Sequence, residues 1–166
     1  IDRDALHLWK RFFTTSNIEV VLFDIEPLAL YRGMFESSDE KAVAVIDMGT
    51  QGTSFSFFSK HGLVLESFLS TGGDALTKSI MNSLHLDERE AEKVKRSVGL
   101  SDHQHEVFPL ISRGIDEIIK EAGKLIAYVE AKTNEKVHEI VLGGGTAQLK
   151  GIVEYLSLYL DPPVRI

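Results

Sequence analysis

The stretch VIDMGTQGTSFSF, Val45 to Phe57, sets one carboxylate beside two glycines and two hydroxyls in what reads as a turn. A carboxylate at the end of an apolar strand, here Asp47, is placed to hold a magnesium ion through its waters. Gly49, Thr50, Gly52 and Thr53 would then offer N–H and O–H donors to phosphate oxygens. An ordinary hairpin needs the same D-x-G pattern, so on its own it leaves both readings open. A second group, Gly143, Gly144 and Gly145, follows the apolar run EIVL. Glycine costs conformational entropy and gives a core nothing to pack, so three in succession imply positive φ or something pressed close to the backbone.

Composition removes several other chemistries. The net charge of −7 lacks the basic footprint of a nucleic-acid binder. Cysteine is absent, which excludes disulfides, thiolate metal sites and a cysteine nucleophile, and which fits a reducing cytoplasm. No apolar run approaches the roughly 18 residues of a membrane span, and no signal-peptide pattern is visible. The chain starts at Ile1 rather than Met, which reads as a portion of something longer. His103 and His105 are two apart with no third ligand beside them, so they read as a solvated loop. Asp74 reads as a helix N-cap.

The elements that must position these residues form an α/β pattern. Asp4 to Phe13 carries Leu6, Trp9, Phe12 and Phe13 on one helical face, and Ile18 to Phe23 reads as a buried strand. Pro27 suits the first turn of a helix. Glu36 to Lys41, ESSDEK, reads as a linker. Beyond it AVAVID is a doubly covered strand, while TSFSFF alternates as a half-buried one and turns through KHG into an antiparallel LVLESFL. A helix follows TGGD with Leu76, Ile80, Met81 and Leu84 inward. A short charged helix closes at Gly99, and a long helix over Pro109–Lys132 has Ile111, Ile115, Ile118, Ala122, Leu125 and Val129 on its stripe. The strand Val137–Leu142, the glycines, a last helix and a short strand at PVRI complete the chain.

DIEPLAL, VAVIDMGTQGTS, STGGDALTKSI, AEKVKRSVG and EIVLGGGTAQLKGI occur in the order and spacing of the actin-like ATPase superfamily. Within it they most resemble the PilM family of type IV pilus assembly proteins, over about residues 18 to 166. The resemblance implies an actin-like, ribonuclease H-like lobe with a mixed sheet and flanking helices. Residues 1–36 would end a first lobe, and 37–166 would form a second lobe with a helical insertion near 86–108. It implies ATP and Mg2+ as cofactors. Asp47 would be the magnesium-associated aspartate, and Gly49, Thr50, Gln51 and Thr53 would lie near the phosphates, with Gly72 and Gly73 beside them. Glu26 matches the glutamate that positions the attacking water, although an acid in the first turn of a helix is also favoured by the helix dipole alone. Glu92 and Lys95 match the A-E-x-x-K block that touches ribose and base, although a solvated ion pair three residues apart has the same spacing. Gly144, Gly145 and Thr146 match the adenosine loop, where a Cβ would occupy the ligand's space.

The first D-x-G hairpin of that superfamily has no counterpart upstream of Ile18, and the small inserted subdomain of the PilM family is also missing. Lys150 stands where a proline is common, a change expected to be minor. The missing hairpin leads to the expectation of weak nucleotide binding by this chain alone, and the apolar surface meant for its strands to that of self-association. The function implied is an ATP-binding, cytoplasmic component of the inner-membrane pilus platform, with slow hydrolysis at most. Its nucleotide state would control its grip on the N-terminal cytoplasmic peptide of a PilN-like protein. It would bind no nucleic acid and would reach the membrane only through partners. An FtsA-like division protein, or an actin-like scaffold that has lost its nucleotide, are the alternatives. The first would want an amphipathic C-terminal helix, which YLSLYLDPPVRI does not supply.

Overall fold

The apolar runs between Ala42 and Leu69 form three strands in a row, β1 (Val43–Met48), β2 (Thr53–Ser59) and β3 (Gly62–Leu69), each antiparallel to the one before. In this computed structural model, which describes residues 2–35 and 41–166, they belong to the second of two units, divided between Phe35 and Glu36. β1 is also parallel to β4 (Glu139–Gly143), and β4 to β5 (Val164–Arg165), giving the order β3-β2-β1-β4-β5. The register decides where the two glycine-bearing turns lie. Asp47 pairs with Ser54 on one side and with Gly143 on the other, so both glycine-bearing turns leave the sheet at the same end.

The helices of this unit follow the expected periodicities. They are α3 (Gly73–Leu84), α4 (Glu88–Val98), α5 (Phe108–Thr133) and α6 (Ile152–Ser157), with a short 3-10 turn at Thr146–Gln148. α4 starts with a capping box, in which the Asp87 carboxylate accepts from the Glu90 N–H at 2.8 Å and Glu90 reaches back to the Asp87 N–H. α5 buries its whole stripe, with Ile111, Ile115 and Ile118 fully enclosed. Each such side chain contributes about 1.5–3 kcal/mol of burial.

Four expectations need correction here. β2 is buried on both faces, since Ser56 and Phe58 are enclosed along with Phe55 and Phe57. Asp74 does not cap α3; the N-cap is Gly72 and Asp74 sits in the first turn. β4 begins two residues later than Val137, because the Val137 N–H is taken by the Glu130 carboxylate at 3.0 Å. The last helical segment is split, because Gly151 adopts φ +76° between the 3-10 turn and α6.

In the first unit, α1 (Arg3–Thr15) is capped by Asp2 and carries Trp9, Phe12 and Phe13 in mutual ring contact. α2 (Glu26–Met34) has Pro27 in its first turn, and Arg32 pairs with Asp24. Ile18 to Phe23 is not a strand. It is coil, with Val21 92% exposed, and no described strand offers the neighbour that its N–H and C=O groups would need. Of the ESSDEK segment, Glu36 to Glu40 lies outside the described residues.

Candidate functional site

The turn between β1 and β2 closes on itself, the Gly49 N–H donating to the Gly52 carbonyl at 2.9 Å. Its outer carbonyls then hold the start of α3. The Gly73 N–H donates to the Gly49 carbonyl and the Asp74 N–H to the Thr50 carbonyl, both at 2.9 Å. Two of the N–H groups that a helix start leaves unpaired are therefore used up inside the protein. The approach is so close that a Cβ on Gly72 would lie 2.5 Å from the Gly52 nitrogen and 2.7 Å from the Gly49 oxygen. Thr53 stays out of this surface: it is enclosed, and its hydroxyl donates to the Thr71 carbonyl at 2.8 Å. Thr50 and Gln51 are exposed at the tip.

The glycine run reaches the same place from β4, and its members differ. Gly144 has φ +82°, and a Cβ there would sit 2.5 Å from both the Asp47 carboxylate and the Met48 carbonyl. The protein itself excludes a side chain at Gly144, which corrects the expectation that a ligand does so. Gly145 is the reverse case. Its backbone is in the right-handed helical region, at φ −67°, and an added Cβ would meet nothing within 4 Å. The Thr146 hydroxyl next to it donates to the Gly49 carbonyl at 3.3 Å, tying the second turn to the first.

The facing wall is α4. Lys95 is 5% exposed, and its ammonium lies 2.6 Å from the Glu92 carboxylate, 2.7 Å from the Thr77 hydroxyl and 3.1 Å from the Gly73 carbonyl. The Thr77 hydroxyl is also 2.8 Å from Glu92, and the guanidinium of Arg96 meets the other Glu92 oxygen at 2.8 Å. Burial pushes the Glu92 carboxyl up, but the bonds from Lys95, Arg96 and Thr77 outweigh it and hold the group at about 2, against an ordinary 4.5.

Between these walls lies an open cleft of about 890 Å³, within the roughly 300–1,000 Å³ of small-molecule sites. Thr50, Gly73, Asp74 and Thr77 line one part of it, Glu92, Lys95 and Arg96 another, and Gly145 and Thr146 the far side. The residues brought to the cleft therefore include Thr50, Gly73, Glu92, Lys95, Gly145 and Thr146. Asp47 does not line it but lies one layer below, against Gly143 and Gly144. Among the described residues no three His, Asp or Glu side chains converge on one point. A magnesium ion needs only one or two carboxylates, the rest of its shell being water and phosphate oxygens; Asp74, Glu88 and Glu92 line the cleft itself. Glu26 belongs to the other unit.

Sequence reasoning missed two residues. Thr77 had no signal beyond its place one turn after Gly73, on the helix face turned to Lys95. Lys150, set aside as a minor change, donates to the Ser97 carbonyl at 2.8 Å in the last turn of α4. The Lys150 carbonyl accepts from the Leu100 N–H at 2.7 Å, so this residue stitches α4 to the loop after the glycines. His105 has a structural use too, its Nδ1 accepting from the Val107 N–H at the start of α5.

Comparison with known proteins places this geometry. Residues 3–166 match the family described as type IV pilus assembly protein PilM. The cell division protein FtsA of Bacillus subtilis is 27% identical over 99% of this chain and 42% of its own length. That of Neisseria meningitidis serogroup B is 25% identical over 85% and 40%. The chain thus spans less than half the length of these relatives. Among solved structures, the PilM-PilN type IV pilus biogenesis complex superposes with a TM-score of 0.73 at 21% identity, covering 89% of this chain and 42% of that one. MreB 5 of Spiroplasma citri bound to AMPPNP gives 0.79 at 16% identity, covering 100% and 60%. The fold is that of the actin-like proteins, and the chain belongs to the PilM family of type IV pilus assembly proteins.

Proposed function

We propose that, as a member of this family, the chain forms the nucleotide-holding lobe of an actin-like component of the type IV pilus platform. It takes magnesium-ATP in the cleft between the glycine run and α4. The observation that carries this reading is Gly145, an exposed glycine on the cleft wall in a conformation open to any residue, where an added Cβ would meet nothing within 4 Å. Asp47, on β1 behind the glycines, would hold the metal, and Thr50 and Gln51, at the exposed tip of the turn, would face the phosphates. Glu92, the carboxylate of the α4 wall, would take the ribose. When bound, ATP supplies the phosphoryl group and the free energy of its transfer to water. The residues of this unit would bind and orient it and neutralise its charge.

Slow turnover suits a switch better than an engine, so the nucleotide state would set the protein's hold on the N-terminal cytoplasmic peptide of a PilN-like inner-membrane protein. Such a protein works in the cytoplasm and touches the membrane through that partner. No helix among the described residues is long and apolar enough to cross a membrane. The sequence likeness to FtsA over nearly the whole chain keeps a division-type role as the second reading. The test is titration of magnesium-ATP, magnesium-ADP and the partner peptide into the protein. Nucleotide binding that changes the peptide affinity supports the switch. Peptide binding indifferent to nucleotide, or no nucleotide binding at all, leaves a scaffold. Asp47→Ala should weaken magnesium-dependent binding; binding unchanged in that variant would remove the metal-holding role from Asp47.

A further inference from the structure

We propose that the junction of α4 with Lys150 is a clasp that sets the width of the cleft, and that Lys150 is a positioning residue for the adenosine side of the ligand. The inference rests on the adenine-nucleotide reading for the ligand, and on the packing alone for the clasp. The two walls reach this junction from opposite sides. Arg96, near the end of α4, and Leu149, just after the 3-10 turn, both line the cleft. The residue that follows each of them closes the gap, the Lys150 ammonium donating to the Ser97 carbonyl at 2.8 Å. That carbonyl is one of those a helix leaves without a partner at its C-terminal end, where a cation also meets the negative end of the helix dipole. The next one, of Val98, accepts from the Ser101 hydroxyl at 3.0 Å.

Beneath the lysine the two segments touch backbone to backbone. The Leu100 N–H donates to the Lys150 carbonyl at 2.7 Å. A Cβ on Gly99 would lie 2.5 Å from that carbonyl oxygen and 2.8 Å from the Lys150 nitrogen, and one on Gly151 would lie 3.0 Å from the Ser101 nitrogen. A side-chain contact adjusts by changing rotamer, whereas this backbone contact has one spacing. Lys150 is not among the residues that line the cleft, so it acts on the ligand through the α4 wall. The tip of the β1–β2 turn, Thr50 and Gln51, takes no part in the clasp. Loosening the clasp should therefore weaken the grip on adenosine and spare the grip on phosphate.

The experiment compares wild type with Lys150→Met, Lys150→Arg and Gly99→Ala. It measures affinities for ATP and for inorganic tripolyphosphate, both with magnesium, and amide hydrogen exchange without either. Lys150→Met should bind ATP about fivefold more weakly, the worth of one hydrogen bond from an exposed group, and tripolyphosphate as wild type does. Its Gly99 and Leu100 amides should exchange faster. Lys150→Arg keeps a donor and a charge and should restore both readouts, while Gly99→Ala should exceed Lys150→Met in both. ATP affinity unchanged in Lys150→Met, lowered equally for tripolyphosphate, or not recovered in Lys150→Arg would overturn the proposal. Should Gly99→Ala fail to fold, the two Lys150 variants decide. Should tripolyphosphate not bind wild type, recovery of ATP affinity in Lys150→Arg decides. Should wild type take no ATP, the nucleotide reading fails, and exchange at Gly99 and Leu100 settles the clasp alone; exchange unchanged in Lys150→Met would overturn it.

Discussion

The two walls of the cleft are built by opposite means. The glycine side is backbone. Its shape comes from the parallel pairing of β1 with β4, which brings Met48 and Asp47 against Gly144, and from one residue at φ +82°. The α4 side is a ring of side chains, Glu92, Lys95, Thr77 and Arg96, drawn onto the Gly73 carbonyl. The backbone wall should therefore fail abruptly where it is touched, and the side-chain wall should fail in proportion to the charge left without a partner.

The largest effect expected is at Gly144. Valine there adds a positive-φ penalty to a backbone overlap, and should cost roughly 3–5 kcal/mol in a urea unfolding curve. A loss below about 1 kcal/mol, the size of an ordinary surface change, would break the contrast between the walls. Next comes Glu92→Ala, which strands the buried ammonium of Lys95. Because Glu92 is partly in solvent, the loss should be smaller than for a fully enclosed pair, roughly 1–3 kcal/mol in the same assay.

Acid sharpens the same point. The Glu92 carboxyl titrates at about 2 in the folded chain against 4.5 ordinarily, so its contribution is present above 4.5 and is lost as pH falls towards 2. Between those limits the stability of the Glu92→Gln variant should fall less steeply than that of the wild type. Parallel slopes in melts across that window would mean that the ring does not hold the carboxylate. The smallest effect is at Gly145, where alanine should change stability by no more than about 0.5 kcal/mol.

Much of this architecture was legible in the residues. The stripe of α5, the short charged helix closed at Gly99 and the hairpin glycines are local patterns, and local patterns fix local structure. Ile18 to Phe23 misled because a β-branched run states a preference, whereas a strand needs a partner. The walls of the cleft were half legible. The glycine run announced itself, but which glycine answers to the protein and which to open space depends on the register of β1 against β4. Thr77 and Lys150 were silent because each acts on a residue far away in sequence, Lys95 and Ser97.

The contrast between Gly144 and Gly145 bears most directly on the nucleotide. Calorimetric titration of magnesium-ATP into wild type and Gly145→Val, with the urea midpoint of each recorded, isolates the cleft from the fold. The account predicts an unchanged midpoint and an affinity lowered by at least about tenfold, since a branched side chain would fill space left for the ligand. Gly145→Val binding ATP as tightly as wild type would contradict it.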